Sequence, residues 1–428
     1  MEVLRYGSRG NSVLLLQLAL KRQGSYRGGL DGIFGTRTLN GVRRFQTANG
    51  LVPDGAAGPA TQAKARPYLV GYFKHKLRAG DTFYRLGKRY GVASSEIAAA
   101  NPSFDPAKLP IGGELTIPFP FAVTPTDVKW SSALLEYVIE GLTARYPFIG
   151  RETAGLSEEG KPLHVLSIGS GRNELFINAT HHANEWITTP LVIDFLESYA
   201  GAYVSKGSVS GRSAAGLFAS AKLFVMPMVD PDGVDIVNGA ADRRSFARAL
   251  EIAEGFPEIP FPDGWKANIA GTDLNLNYPA DWDTAREIKY AQGFTRPAPR
   301  DFVGMAPLSS KESAAVYAFT RAHDFRLTVS YHTQGGEIYW KYRDVEPAGA
   351  RRIVEAMAAV SGYAPAEAPY ESGFAGYKDW FINEYRLPGF TVEAGRGRNP
   401  LPLSQYAELR ADNLPLMAVA LEAAGNGD

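Results

Sequence analysis

The chain contains no cysteine. Disulfide frameworks, thiolate metal sites and cysteine nucleophiles are thereby excluded together. Histidine is scarce as well: six in 428 residues, at His75, His164, His181, His182, His323 and His332. Any transition-metal site must therefore be built from imidazole and carboxylate. An excess of either charge is also missing, with Lys plus Arg and Asp plus Glu at 45 each and a formal net charge of zero. Without a basic surplus there is no electrostatic drive toward phosphate, so neither nucleic acid nor an anionic membrane is expected as a partner. No apolar run approaches the roughly 18–20 residues of a membrane helix, so no membrane insertion is expected. The short apolar stretch 13–20 follows Glu2, Arg5 and Arg9 and ends in Lys21-Arg22, with no small-residue cleavage site. It reads as an amphipathic helix, and no export signal is expected.

What is present is globular: 45% hydrophobic, 11% aromatic and 21% charged residues. The length suits roughly two to four domains. Residues 1–68 carry two helical patterns, Val13, Leu16 and Leu20 on one face and Leu39, Val42 and Phe45 on another. Glycine-rich Asp-Gly turns follow each. Residues 71–118 read β-α-α-β, with helices near 83–90 and 94–100 and a closing strand 114–118. Pro118, Pro120 and Pro125 mark a linker. From 127 to 428 lies one large α/β domain. Apolar runs at 163–168, 174–179, 222–228, 327–331 and 389–393 read as buried strands, with helices at 190–199, 311–323 and 351–360 between them. That alternation predicts a mixed, mostly parallel sheet with helices on both faces.

Polar residues sit at the ends of those strands. The run 175–180 delivers His181, His182 and Glu185; the run 327–331 delivers His332; the run 390–392 delivers Glu393. Ligands bind beyond the carboxyl ends of strands in open α/β sheets. His182 and Glu185, at i and i+3, share one side of a turn, and His332 completes a two-His, one-Glu set for one zinc ion, with a position left for water. Glu393 is then free to act as general base. His181 has Asn184 at i+3, a poor ligand, and is expected to be structural or to support the ligands from behind.

Three strings in this sequence carry resemblances. Residues 4–55, with their two Asp-Gly turns, Phe34-Gly35 and Arg44-Phe45-Gln46, resemble the peptidoglycan-binding-domain family. Residues 71–118 resemble a LysM module, which implies binding to N-acetylglucosamine-containing glycan. His182-Ala183-Asn184-Glu185-Trp186, Asp230-Pro231-Asp232-Gly233 and Gly271-Thr272-Asp273-Leu274-Asn275 resemble the motifs of the zinc metallocarboxypeptidases. That resemblance implies that Asp273 fixes the tautomer of His182, that Asn275 orients substrate, and that Lys266 stands where the family places a carbonyl-polarising arginine. Leu276 departs from the family, which has there an arginine that grips a C-terminal carboxylate; simple C-terminal trimming is put in doubt. The strings 376–380 and 393–402 are similar to those of bacterial γ-D-glutamyl-diamino acid endopeptidases of spore-formers. They imply hydrolysis of the γ-D-glutamyl–diamino acid bond (diaminopimelate or Lys) in peptidoglycan stem peptides, with Tyr377, Arg396 and Arg398 contacting substrate, and a cytoplasmic, spore-associated or wall location. The alternatives are a carboxypeptidase on protein or peptide C-termini, or a non-catalytic wall-binding protein.

Overall fold

The structure, a computed structural model, describes residues 2–427. The chain forms two compact units, the first running to Ile149 and the second beginning at Gly150.

The first unit opens with three helices, α1 (Asn11–Gln23), α2 (Thr36–Ala48) and α3 (Pro59–Val70). Helix α1 stops where Gly24 turns left-handed at φ 91°. Both connections repeat one pattern, Asp-Gly-x-x-Gly-x-x-Thr, at 31–38 and 54–61. A buried glutamine organises each copy. Gln17 Oε1 accepts from Asp31 and Gly32 N–H at 3.1 and 2.9 Å, while its Nε2 donates to Asp31 Oδ1 and Thr38 Oγ1 at 2.8 and 3.0 Å. Gln46 does the same with Gly55 N–H, Asp54 Oδ1 and Thr61 Oγ1 at 2.9, 2.8 and 3.1 Å. Gly55 sits at φ 82°, a left-handed backbone that L side chains rarely adopt.

Next come β1 (Tyr72–Lys76), α4 (Phe83–Tyr90), α5 (Ser94–Ala100) and β2 (Glu114–Pro118), the two strands antiparallel with His75 opposite Leu115. Thr82 caps α4 by accepting from Arg85 N–H, and Leu86, Ile97, Leu115 and Ile117 form the small core. Helix α6 (Ser132–Arg145) packs on α3 within this unit. The unit boundary thus falls after α6, whereas the sequence reading begins the catalytic segment at 127.

The second unit is built on an eight-stranded sheet. Its first half holds β3 (Gly150–Leu156), β4 (Pro162–Gly169), β5 (Asn173–Ala179), α7 (Thr188–Val204), a small hairpin of β6 (Ser208–Val209) and β7 (Arg212–Ser213), α8 (Ala214–Ser220), β8 (Ala221–Met226), α9 (Pro231–Val237) and α10 (Arg243–Glu254). The second half holds α11 (Trp282–Ala291), α12 (Lys311–Arg321), β9 (Phe325–His332), β10 (Glu337–Tyr339), α13 (Ala350–Ser361), β11 (Ala364–Ala366), α14 (Tyr377–Tyr385), β12 (Gly389–Glu393) and α15 (Tyr406–Asn426). The order is β11-β10-β12-β9-β5-β8-β4-β3. The central strands β12, β9, β5 and β8 run parallel, and β4 and β3 follow antiparallel.

Parallel central strands are buried on both faces, which explains their continuous apolar runs. Phe176 and Phe224 meet Phe319 of α12 and Tyr377, Trp380 and Phe381 of α14 in one core. Alternation sends Leu175 and Ile177 to the other face, and α7, α8 and α15 also pack on the sheet. Strands β3, β10 and β11 have no apolar run: β3 reads Gly-Arg-Glu-Thr-Ala-Gly-Leu and is largely exposed, so periodicity could not find it. The parallel register places Glu393 beside His332, and Ala179 beside Tyr331, at one edge of the sheet.

Candidate metal centre and cleft

Strand β5 hands the chain to Thr180, a β-branched residue at φ 60°. Such a conformation costs on the order of 1–3 kcal/mol and persists only when neighbours hold it. Here the Thr180 hydroxyl bonds those of Thr188 and Thr189 at 2.8 and 2.9 Å, and its carbonyl accepts from Asp230 N–H. The turn swings His181 and His182 into the sheet edge, and a short 3-10 turn (Ala183–Glu185) brings Glu185 back beneath His182.

His182 Nδ1 lies 3.0 Å from Glu185 Oε1. His332 Nδ1 lies 3.1 Å from His182 Nδ1 and 3.0 Å from Glu185 Oε2. One donor atom from each of these three buried residues falls within 4.8 Å of the others. Asp273 Oδ1 accepts from His182 Nε2–H at 3.0 Å, which turns Nδ1 toward the cluster as the nitrogen that would bind a metal. Two imidazole nitrogens and a carboxylate facing one point suit a divalent cation. The donor set is N/N/O with room for a further ligand, the composition of catalytic zinc sites. One zinc ion fits these residues.

Other groups hold the carboxylate in place. Glu185 Oε2 accepts from Thr333 N–H at 3.1 Å, and Lys266 Nζ and Asn399 Nδ2 stand 3.4 Å from Oε1. Burial would raise the Glu185 carboxyl, but the charges of His182 and Lys266 prevail and keep it well below its ordinary range. Burial likewise opposes the His182 charge, yet Glu185 and Asp273 hold that imidazole up to about 9. Glu393 goes the other way: burial and the nearby Glu185 push it up to about 8, against the pull of Lys266. His181 is fully buried, 2.9 Å from Tyr278 Oη and stacked on His332, and burial drives its pKa well down. It supports the cluster from behind.

A cleft of about 1050 Å³ opens over the cluster. Of the residues singled out from sequence, His182, Lys266, Asp273, Asn275, Glu393 and Arg398 line it. Glu185 and His332 lie buried in its floor at 1% exposure each. Asn275 accepts from Tyr377 N–H at 3.0 Å through Oδ1 and so ties this segment to the start of α14. One expectation is corrected. Tyr377 is fully buried, its hydroxyl 3.0 Å from Thr320 Oγ1 and its ring among Phe176, Tyr278 and Trp380; it is a core aromatic. Arg398 lines the cleft, while Arg396 is exposed on the same loop with its backbone paired to Gln405.

The sequence reading missed Arg300, Asn399, Lys378 and Asp379, which also line the cleft. Arg300 lies in a loop with no periodicity to flag it. Asn399, Lys378 and Asp379 fall inside the two strings 393–402 and 376–380, so a signal existed but carried no assignment.

Comparison with known proteins agrees with this geometry. Residues 135–415 match the zinc carboxypeptidase family, residues 9–64 a putative peptidoglycan binding domain and residues 75–118 a LysM domain. A relative named gamma-D-glutamyl-L-diamino acid endopeptidase 1, from Lysinibacillus sphaericus, is 39% identical over 284 residues, covering 66% of this chain and 70% of the relative. A spore cortex-lytic enzyme from Oceanobacillus iheyensis is 35% identical over 89 residues, 20% of this chain and 32% of that one. Among solved structures, thrombin activatable fibrinolysis inhibitor has a TM-score of 0.55 at 21% identity, covering 70% of this chain and 75% of its own, a likeness of fold alone. With the metal cluster, the sheet and the family match in agreement, the chain belongs to the zinc carboxypeptidase family and is a metallopeptidase.

Proposed function

We propose that the chain hydrolyses the γ-D-glutamyl–diamino acid bond of peptidoglycan stem peptides, with the diamino acid as leaving amine. The observation that carries this reading is Leu276. It lines the cleft next to Asn275, whose Oδ1 holds Tyr377 N–H, at the position where the resemblance to the family leads one to expect a carboxylate-gripping arginine. An apolar side chain there cannot clamp a chain end, so substrate can continue past the cut. The name of the 39%-identical relative supports the same bond.

His182, Glu185 and His332 would hold the zinc. Zinc in such a site supplies Lewis acidity to a water and to the scissile carbonyl. Glu393, ionised once a cation offsets the charge of Glu185, would take a proton from the attacking water and return it to the leaving amine as the C–N bond breaks. Lys266 Nζ, with Arg300 beside it in the cleft, offers positive charge to the oxyanion that develops on the carbonyl. Asp273 would keep His182 in the tautomer that binds metal, and Asn275 and Arg398, which line the cleft, would contact substrate. Residues 1–68 and 71–118 serve as wall-binding modules, the second on N-acetylglucosamine-containing glycan, and 127–428 as the catalytic segment. The site of action is cell wall or spore-associated wall.

Glu393→Gln is expected to retain stoichiometric zinc while turnover of L-alanyl-γ-D-glutamyl-diaminopimelate falls about 10²–10⁴-fold. Mass spectrometry of the products identifies the bond. Release of single residues from unmodified peptide C-termini, with γ-D-glutamyl peptides untouched, would replace this reading.

A further inference from the structure

Among the charged groups of the cleft, Arg300 keeps most of its hydrogen-bonding capacity unspent. Its Nε donates to Asp301 Oδ2 at 2.5 Å, and no acceptor among the described residues meets its two terminal amino groups. The side chain is 44% exposed and lines the cleft. A guanidinium holds its five N–H donors in one rigid plane, which matches the two oxygens of a carboxylate.

The backbone that carries Arg300 is fastened on both sides. Pro299 O accepts from Lys266 N–H and Ala267 N–H at 2.8 and 2.9 Å, and Asp301 N–H donates to Asp273 Oδ2 at 3.1 Å. Asp301 has a left-handed φ of 63°, and Lys289 Nζ lies 2.8 Å from its Oδ1. Lys289, only 6% exposed, spends its charge on that carboxylate. Arg300 therefore belongs to the same fixed assembly as Lys266, which meets the scissile carbonyl, and Asp273, which backs His182. Leu276 belongs to a different wall, next to Asn275 and through it tied to the start of α14.

Resting on the γ-D-glutamyl reading above, we infer that Arg300 grips the free α-carboxylate of the γ-linked D-glutamyl residue, on the acyl side of the cut. In that residue two methylenes and the α-carbon separate the scissile carbonyl carbon from the carboxylate. A carbonyl oxygen turned toward Lys266 thus brings the carboxylate within reach of the cation beside it. Arg300 supplies on the acyl side a carboxylate clamp, while Leu276 offers none on the leaving side. A D-isoglutamyl residue, whose α-carboxyl is an amide, is uncharged there and sets an NH₂ group against a fork made only of donors.

The test compares kcat/KM of the zinc-loaded full chain on three peptides. They are L-alanyl-γ-D-glutamyl-meso-diaminopimelate, its D-glutamyl α-carboxamide, and the amide of the leaving residue's own α-carboxyl. The first should exceed the D-glutamyl amide by about tenfold or more, because a site built to pair a polar group penalises its absence. Arg300→Met should bring that ratio toward one and leave the ratio for the leaving-side amide where it was. Arg300→Lys, with the charge but not the fork, should give an intermediate ratio. Weaker support of the oxyanion in these variants slows all peptides alike and cancels in the ratio. Lys289 still pairs with Asp301, so no carboxylate is stranded. Where turnover is too slow, the Kd values of acid and amide for the Glu393→Gln chain, with and without R300M, read the same discrimination. Equal cleavage of acid and D-glutamyl amide by the unmodified chain would overturn the inference and leave the γ-D-glutamyl reading standing. So would a zinc-binding R300M chain that keeps the ratio, or one that shifts only the leaving-side ratio. Cleavage of none of the three would overturn both.

Discussion

His182 does two things with one ring: Nε2 meets Asp273 and Nδ1 faces Glu185 and His332. The division matters because a neutral imidazole has one proton to place, and a carboxylate behind the ring decides where it goes. Glu393, beside His332 on the next strand, differs from Glu185 only in its surroundings. Glu185 is ringed by positive groups and stays ionised, while burial and that very carboxylate push Glu393 up to about 8. Tyr377 shows the same rule from the other side. Its sequence context resembles a substrate-contacting string, yet its hydroxyl ends on Thr320 in the core. Tyr377→Phe should therefore cost about 1 kcal/mol in denaturant unfolding and leave kcat/KM unchanged; a loss of activity at unchanged stability would return it to the cleft. Residue types at strand ends made the metal ligands legible from sequence. Arg300 and Asn399 were not, because loop residues carry no periodicity and reach the site only through the path of the folded chain.

At the scale of elements, the first unit repeats a device in which a helix-borne glutamine amide satisfies the following Asp-Gly turn. Loss of Gln17 would strand the buried Gly32 N–H and remove its bonds to Asp31 and Thr38, whose side chains keep Ile33 as a partner. A stranded buried polar group costs on the order of 1–3 kcal/mol, so Gln17→Ala is expected to destabilise the α1–α2 region by about that much. Hydrogen exchange of the full chain should show protection lost over residues 11–48 while second-unit amides keep theirs. The spacing of the two Asp-Gly turns was visible in sequence. The hub was not, because Gln17 precedes its turn by a full helix end and Gln46 by a shorter stretch, and only folding superimposes them. In the second unit, β5, β8, β9 and β12 matched apolar runs, since strands buried on both faces must be apolar throughout. The exposed β3 obeys no such demand.

For the whole molecule, two bulk properties follow from the second unit. Removing zinc by chelation should lower its unfolding temperature, since a ligand that binds only the folded state stabilises it by mass action. Calorimetry with and without chelator measures this, and an unchanged transition would mean that no ion is held. Glu312 provides a pH signature away from the metal. It is buried, accepts from Glu158 N–H and Asn268 Nδ2, and burial pushes its carboxyl up to about 7 from an ordinary 4.5. Below 4.5 both folded and unfolded states hold the proton. Between 4.5 and 7 the unfolded chain ionises first, so this group's contribution falls as pH rises, and above 7 the loss is complete, at about 3 kcal/mol. Glu312→Gln should gain stability relative to the parent chain across that window in denaturant titrations at several pH values; a constant difference from pH 4 to 8 would contradict it.

Composition and patterning alone determined the chemistry available to this protein. With no cysteine and six histidines, a metal site had to use imidazole and carboxylate, and strand ends marked which ones. Local sequence also carried the α/β class, because periodicity reports burial within a few residues. Tertiary structure alone decided that Tyr377 belongs to the core, that Arg398 lines the cleft, and that Lys378 and Asp379 share its wall. Those outcomes depend on which face of a helix or loop meets a segment a hundred residues away, and no short-range pattern encodes such a meeting.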